Sequence, residues 1–212
     1  SVVSTGTWVI AMAVGGKAVT LDPALDTLVN VNAFGDAVPS ARFMGGREHD
    51  LVLNGSAVEA SDADMLEVLS QRCMLLPAVV PETGPFAGRQ ASWHRGEPPQ
   101  ESGQRGAAIG FYLALVTARC LDLIGHQGPI VVEGPFAQNS AYLTMLGVAS
   151  TSPVVRMHST TGTSQGAALL AAPRATQQRP TPPHPKPDEH TQQLCLRYAR
   201  EWNASVSGSG QG

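Results

Sequence analysis

The sequence is short of several features that would direct a first hypothesis. Aromatic residues make up only 5% of its 212 residues, and 14 Lys and Arg stand against 17 Asp and Glu, with no basic block. Nucleic-acid binding needs a basic surface and often aromatic stacking platforms, so we expect no nucleic-acid partner. No apolar run reaches the ~20 residues that a membrane-spanning helix needs, so we also expect no membrane association.

Cysteine is equally scarce. Cys73, Cys120 and Cys195 are far apart and odd in number, and no pair has the spacing of metal ligands. This pattern predicts neither a disulfide framework nor a metal site, and it favours a reducing, cytoplasmic location. The chain begins at Ser1 directly with β-rich sequence and lacks a positively charged leader, so we expect an excised or processed piece.

The first part of the chain predicts antiparallel strands. Residues 2–4 and 8–14 contain β-branched and aromatic residues on either side of Gly6, which indicates a hairpin. Residues 28–33 alternate between apolar and polar side chains, as a third strand does. Residues 41–46 end in two glycines and predict a further strand or a tight turn.

The later part alternates helices with short strands. Ser61 is a predicted helix N-cap, and residues 107–124 form the clearest apolar helix. Predicted elements then follow as strand, helix, strand and helix, over residues 129–133, 139–146, 153–157 and 166–172. This order predicts parallel βαβ units, so the expected fold is α/β, with one mixed sheet and helices on both faces.

The C-terminal region differs in composition from the rest. We expect a domain over residues 1–175, followed by a Pro-rich, extended linker over residues 176–189. Residues 190–204 predict a terminal amphipathic helix, and the Gly- and Ser-rich residues 205–212 predict a disordered tail. The size of the first segment suits a single globular domain.

Three glycine turns could bring main chain close to a ligand. The first is Thr5-Gly6-Thr7, and the second, at residues 134–139, follows a buried strand and ends in Asn139. The third lies at residues 161–168. Glycine permits close approach of a phosphate or a flat ring, and helix N-termini favour anions. Each turn is also compatible with a purely structural role, since the first suits an ordinary hairpin and Asn139 suits a helix N-cap.

Together, the three turns resemble the C-terminal domain of the FGGY family of carbohydrate kinases, in the actin-like ATPase superfamily. The resemblance covers roughly residues 1–172 and is closest to fuculokinase- and rhamnulokinase-like enzymes. It implies a ribonuclease-H-like fold and ATP-dependent phosphorylation of a sugar or polyol hydroxyl. Beyond the turns, it extends over three further segments, at residues 28–36, 41–48 and 110–115.

The resemblance also implies roles for particular residues. Thr5, Gly6 and Thr7 would lie beside the terminal phosphates of ATP, and Gly45 and Gly46 would line the phosphate channel. The expected adenosine pocket is formed by the residues of the second turn, namely Gly134, Pro135 and Asn139. Many members of the family have two glycines where this sequence has Gly134-Pro135.

The family's other phosphate motif, its catalytic aspartate, its Mg²⁺ ligands and most of its sugar contacts belong to an N-terminal domain. This sequence contains no Asp-x-Gly-Thr/Ser tetrapeptide. We therefore expect a nucleotide-binding half that binds ATP or ADP and is inactive alone, with the sugar bound only when the other domain is present. Self-association is an open expectation.

Two other hypotheses remain open. The chain could be a non-catalytic module that binds a nucleotide or a protein partner through the face turned toward the other domain. It could also be an unrelated α/β enzyme, which would need its own acid–base pair. His49 and Asp50, beside Glu48, could form such a pair, but in a turn-like stretch we expect a solvated cluster.

Overall fold

A six-stranded mixed sheet forms the centre of the computed structural model, which describes residues 1–56, 58–157, 170 and 182–208. A separate two-stranded sheet consists of β5 (Met74–Leu76) and β6 (Ser92–His94). The main sheet has the order β3-β4-β2-β1-β7-β8. Its strands, in chain order, are β1 (Val2–Thr5), β2 (Val9–Met12), β3 (Thr27–Val31), β4 (Ala37–Phe43), β7 (Ile130–Glu133) and β8 (Val154–Arg156).

The sheet begins antiparallel and ends parallel, as predicted. Val3 lies opposite Ala11 in the antiparallel β1–β2 hairpin, and β4 pairs antiparallel with both β2 and β3. On the other side of β1, Val3 pairs with Val132 of β7 in parallel, and β8 continues in parallel from β7. Because β1 lies in the middle, the turn that follows it reaches the same sheet edge as the end of β7.

Five α-helices occur among the described residues, and one of them forms the core. Residues of α3 from Gly106 to Ala118 are buried throughout. α3 packs over the face of the sheet on which Val3, Ala11 and Val132 are fully buried. The helices are α1 (Gly45–Leu53), α2 (Asp62–Gln71), α3 (Gly103–Leu123), α4 (Ser140–Ser150) and α5 (Glu189–Gly208).

α3 is the one helix in the described part of the chain that is long and apolar enough to cross a membrane by length and composition. Within its apolar window, 78% is buried inside the fold, as in the core helix of a globular domain. It begins at Gly103, four residues before the predicted start. Ser102 caps it, because its hydroxyl accepts a hydrogen bond from the Arg105 N–H at 3.1 Å.

The terminal helix α5 packs onto the rest of the domain. Tyr198 donates a hydrogen bond to the Cys73 carbonyl at 2.9 Å, and the Trp202 indole donates to the Leu75 carbonyl at 2.8 Å. The prediction of a disordered tail from residue 205 is wrong at its start, because α5 continues to Gly208 and buries Val206. Burial of this apolar face stabilises the helix beyond its predicted end.

Some predictions fall partly or wholly outside the described residues. These are the third glycine turn at residues 161–168, the helix over residues 166–172 and most of the Pro-rich linker. Within the described part of that linker, residues 182–188 are extended, and the His184 N–H donates to the Val154 carbonyl at 2.6 Å.

Candidate functional site

The first glycine turn connects β1 to β2 at the edge of the sheet where β7 also ends. Gly6 and Thr7 are exposed in this turn, whereas Thr5 is buried. The Thr5 hydroxyl donates to the Glu133 carbonyl at 2.5 Å and accepts from the Phe136 N–H at 3.1 Å. Thr5 therefore links the first glycine turn to the second, whereas the Gly6 N–H donates within its own turn to the Trp8 carbonyl at 3.0 Å.

Helix α1 begins directly against this turn. A Cβ atom on Gly46 would overlap the Gly6 carbonyl oxygen, and one on Gly45 would come within 2.5 Å of the Val9 side chain. The N-cap residue, Met44, makes no side-chain hydrogen bond to the first turn of the helix. The two glycines thus bring a helix N-terminus without a side-chain cap into contact with Gly6, which suits the binding of an anion.

The prediction for residues 41–46 is wrong in part. β4 ends at Phe43 as a strand, but Gly45 and Gly46 start a helix and do not form a turn. Gly46 lies against the backbone of the first turn, and Gly45 lies against the Val9 and Phe43 side chains, so a Cβ atom fits at neither position. Tertiary packing outweighs the low helix propensity of glycine here.

The second glycine turn closes the opposite side. Gly134 has a φ of +84°, and a Cβ atom there would overlap the Thr5 carbonyl oxygen. A 3₁₀ turn over Pro135–Gln138 follows, and Asn139 then caps α4 by accepting a hydrogen bond from the Tyr142 N–H at 2.9 Å. The structural role considered for Asn139 is therefore present, since its Oδ1 is used by the cap.

An open cleft of about 880 Å³ lies between α1 and the second glycine turn. Of the eight predicted site residues, Thr5, Gly45 and Gly134 do not line this cleft; they pack behind it and hold its walls together. The other five line it, namely Gly6, Thr7, Gly46, Pro135 and Asn139. The structure thus brings residues separated by more than 120 positions in the sequence to one cavity.

Sequence reasoning missed one wall of the cleft. Besides Gly46 and His49, three residues of α1 and its C-cap residue line the cleft, and their spacing of three and four positions places them on one helical face. We name this set, Arg47, Asp50, Leu51 and Asn54, the α1 cleft face. The i, i+3, i+4, i+7 pattern is visible in the sequence, but it has meaning only once residues 45–53 are known to be a helix.

The interpretation of Glu48, His49 and Asp50 as a solvated cluster in a turn is wrong for two of the three. Asp50 is exposed, but the His49 ring lies against Phe136 of the second turn, with ring centroids 5.6 Å apart. Glu48 is only 2% exposed. The α-helix explains the difference, because consecutive residues point to different sides of a helix and only some reach solvent.

Glu48 anchors α1 to the interior. Its Oε1 accepts a hydrogen bond from the Val80 N–H at 3.1 Å, whereas its Oε2 is buried without a hydrogen-bond partner. Burial raises the pKa of Glu48 to about 7, and hydrogen bonds from Val80 and Tyr112 only partly offset that rise. A buried carboxyl group therefore holds the helix that forms one wall of the cleft.

Metal-ligand groupings are missing from the part of the chain that the structure describes. It contains no cluster of three or more His, Cys, Asp or Glu side chains able to hold a metal ion. The acidic residues of the cleft, Asp50 and Glu59, are both exposed. The arrangement can therefore present backbone N–H groups and a few polar side chains to a ligand, but these residues do not form a metal centre.

Comparisons with known proteins agree with this geometry. The sequence profile described as carbohydrate kinase FGGY, C-terminal domain, matches residues 1–180. A carbohydrate kinase from Novosphingobium aromaticivorans shares 33% identity with a TM-score of 0.82, and the alignment covers 98% of this chain and 46% of that one. A comparison with curated protein sequences gives no match.

More distant structures share the fold alone. Glycerol kinase from Plasmodium falciparum, solved with ADP, aligns over 100% of this chain and 47% of its own, with 14% identity and a TM-score of 0.64. Xylulose kinase from Lactobacillus acidophilus aligns over the same shares with 12% identity and a TM-score of 0.66. The chain spans under half the length of these kinases. It belongs to the FGGY family of carbohydrate kinases and corresponds to the C-terminal domain of that family.

Proposed function

We propose that this chain is the nucleotide-binding half of an ATP-dependent carbohydrate kinase. The observation that carries the proposal is the contact between the Gly6 turn and the glycine start of α1. The exposed turn at Gly6 and Thr7 meets the N-terminus of α1 there, and that N-terminus has no side-chain cap and suits a phosphate group. Gly6, Thr7 and Gly46 would contact the phosphates of ATP, and Pro135 and Asn139 would border the adenosine.

The reaction of the complete kinase would move the terminal phosphoryl group of ATP to a sugar or polyol hydroxyl. The hydroxyl oxygen forms a bond to phosphorus, the bond to the β-phosphate oxygen breaks, and the hydroxyl proton leaves to a base. Such transfer depends on positioning and charge stabilisation from both sides of a cleft. This chain would form one side, so we expect no phosphoryl transfer from it alone.

Magnesium and the sugar would depend on the other domain. Mg²⁺ bound to the phosphates would neutralise their charge. We place its protein ligands outside this chain, as we do the base and most sugar contacts, because the described residues contain no cluster of three or more His, Cys, Asp or Glu side chains that could hold a metal ion. The three cysteines are all free and buried, which is compatible with the proposed cytoplasmic location.

Calorimetric titration of the 212-residue chain with ADP and with ATP–Mg²⁺ tests this proposal. We expect saturable binding of both nucleotides at one site per chain. Thr7→Val removes an exposed hydroxyl from the cleft and should weaken ADP binding by about ten- to a hundredfold, the range for one hydrogen bond to a charged group. Thr20→Val, at an exposed threonine outside the cleft lining, is the matched control and should leave the affinity unchanged.

A folded chain that binds neither nucleotide would contradict the proposal. That result would favour the alternative hypothesis, in which the chain is a non-catalytic module that binds a protein partner through the same face. Adding the N-terminal domain of the family in trans provides a second test. We expect the two domains together to phosphorylate a sugar with ATP. If the added domain alone has the same activity, the nucleotide site does not lie in this chain.

A further inference from the structure

The two edges of the main sheet differ in how they are protected. At one edge, the Val154 carbonyl of β8 accepts a hydrogen bond from the His184 N–H at 2.6 Å, so the extended residues 182–188 cover part of this strand. β8 also carries the charged Arg156. β3, at the other edge, contains neither a charged residue nor a proline. An edge strand without such protection pairs readily with another strand.

The hydrogen bonds of the β3–β4 hairpin show which main-chain groups of β3 point away from the sheet. The Asn32 N–H donates to the Asp36 carbonyl, directly across the hairpin, at 3.0 Å. Residues of an antiparallel strand alternate between its two sides, so the even-numbered residues of β3 bond to β4. The N–H and C=O groups of Thr27, Val29 and Val31 therefore face the free edge.

This edge is open along its second half. Thr27 is only 4% exposed, and its hydroxyl donates to the Asp22 carbonyl at 2.8 Å, so the preceding turn covers the start of the strand. Val29 and Val31 are 57% and 68% exposed. Being two positions apart, they lie on the same face of the sheet. The open edge thus consists of two exposed valines together with their outward main-chain groups.

We propose that this open edge pairs antiparallel with the same edge of a second copy of the chain, around a two-fold axis at Asn30. In this register Val29 of each copy lies opposite Val31 of the other, and each of these pairs exchanges both N–H···O bonds. The valines form cross-strand apolar pairs on one face. The two six-stranded sheets become one continuous sheet.

The edge favours a second copy as its partner. Two outward residues at positions i and i+2 are their own complement under a two-fold rotation, and β3 carries no charge that would repel a copy of itself. Pairing of β3 with β8 would generate an open polymer, but the Val154 carbonyl is already bonded to His184. The pairing therefore closes as a dimer.

This dimer would leave the cleft free. Val31 lies opposite Ala37, at the start of β4, whereas the cleft lies beyond Phe43, at the end of β4 that precedes α1. The inference is therefore independent of the proposed function, and a chain that binds no nucleotide could still form this dimer.

Sedimentation equilibrium of the 212-residue chain, from micromolar to millimolar concentration, tests the association. We expect a monomer–dimer equilibrium. Val29→Lys should weaken it about a hundredfold, because a two-fold dimer loses the apolar contact twice and gains a charge at the edge in each copy. Val14→Lys, at a 55% exposed valine beyond the end of β2, is the matched control and should leave dimerisation unchanged. A parent chain that stays monomeric, or a Val29→Lys variant that dimerises like the parent, would overturn the proposal.

Disulfide cross-linking tests the register. Asn30 would face its counterpart as a non-hydrogen-bonded pair, with Cα atoms about 4.5 Å apart, which a disulfide can bridge. Copper phenanthroline should therefore cross-link Asn30→Cys into a dimer, and the three native cysteines are all buried. Phe34→Cys, at an 84% exposed position of the hairpin tip away from the axis, is the control and should stay uncross-linked. Absence of cross-linking in Asn30→Cys, or equal cross-linking of the two variants, would contradict this register.

Discussion

The two neighbouring helices α1 and α2 start in opposite ways. α2 begins with a complete capping box, in which Ser61 Oγ accepts from the Asp64 N–H at 3.2 Å and Asp64 accepts from the Ser61 N–H at 3.0 Å. α1 begins at Met44 without a side-chain cap. The helix with its own cap starts just beyond the cleft lining, which includes Ala60 but not Ser61, whereas the N-terminus of α1 lines the cleft at Gly46 and has no side-chain cap. This difference is the one that the proposed binding of phosphates at the N-terminus of α1 requires.

The two helices also differ in how their inner faces are held. α2 buries Met65, Val68 and Leu69, an ordinary apolar stripe. α1 buries Glu48 next to Val52 and Leu53. A buried carboxyl group makes the attachment of α1 dependent on protonation, whereas apolar burial does not depend on pH. The packing of α1 against the interior therefore depends on pH, whereas the packing of α2 does not.

Glu48→Gln should produce the largest change in this comparison. Because the folded state raises the pKa of Glu48 from 4.5 to about 7, its protonated form favours folding, and that contribution is complete below pH 4.5. It is lost as the pH rises to about 7, at roughly 1.4 kcal/mol per pH unit and roughly 3 kcal/mol in total. The glutamine variant should lack this loss, which urea unfolding at several pH values would show.

The control for that experiment is Glu82→Gln, since Glu82 is exposed. It should leave the pH dependence of the free energy of unfolding unchanged. A constant difference in stability between Glu48→Gln and the parent chain from pH 4.5 to pH 7.5 would show that the pKa of Glu48 is the same in the folded and unfolded states, which would contradict this account.

Gly46→Ala should have the next largest effect, through the contact between α1 and the first turn. The new methyl group would overlap the Gly6 carbonyl, so we expect a loss of about 1–3 kcal/mol in stability and a loss of ADP binding. Gly147→Ala is the matched control within α4, because its Cβ would meet the Val154 side chain at an ordinary 3.6 Å. That variant should gain about 0.5–1 kcal/mol and bind ADP normally.

Ser61→Ala should have the smallest effect and act on α2 alone. It removes the N-cap of α2 and should cost about 1 kcal/mol in thermal or chemical unfolding. ADP affinity should not change, since Ser61 does not line the cleft. A clear loss of ADP affinity in this variant would show that the start of α2 also contributes to nucleotide binding. It would contradict the claim that only the start of α1 does so.

Much of this architecture follows from local sequence. The hairpin around Gly6 has β-branched strands and a glycine turn, and the structure forms it as β1 and β2. Ser61 and Asn139 are N-caps in the structure, as their residue types predicted. These features depend on neighbours within a few positions, so a single sequence carries enough information to find them.

The rest depends on contacts between distant segments. Gly45 and Gly46 are poor helix formers, and only the approach of α1 to Gly6 and Val9 explains why they start a helix. The burial of Glu48 depends on Val80, 32 residues away. Local pattern cannot reveal either contact, and for that reason the α1 cleft face was missed while the glycine turns on both sides of it were found.

Amide chemical shifts of the full chain, recorded during titration with ADP–Mg²⁺, test the central claim most directly. The backbone amides of Gly6, Thr7 and Gly46 should shift in a saturable way, because phosphates would bind at the N-terminus of α1. The amides of Ala63 and Asp64 at the capped start of α2 should stay unchanged. Saturable shifts that avoid Gly6 and Gly46, or that appear instead at the start of α2, would contradict the account.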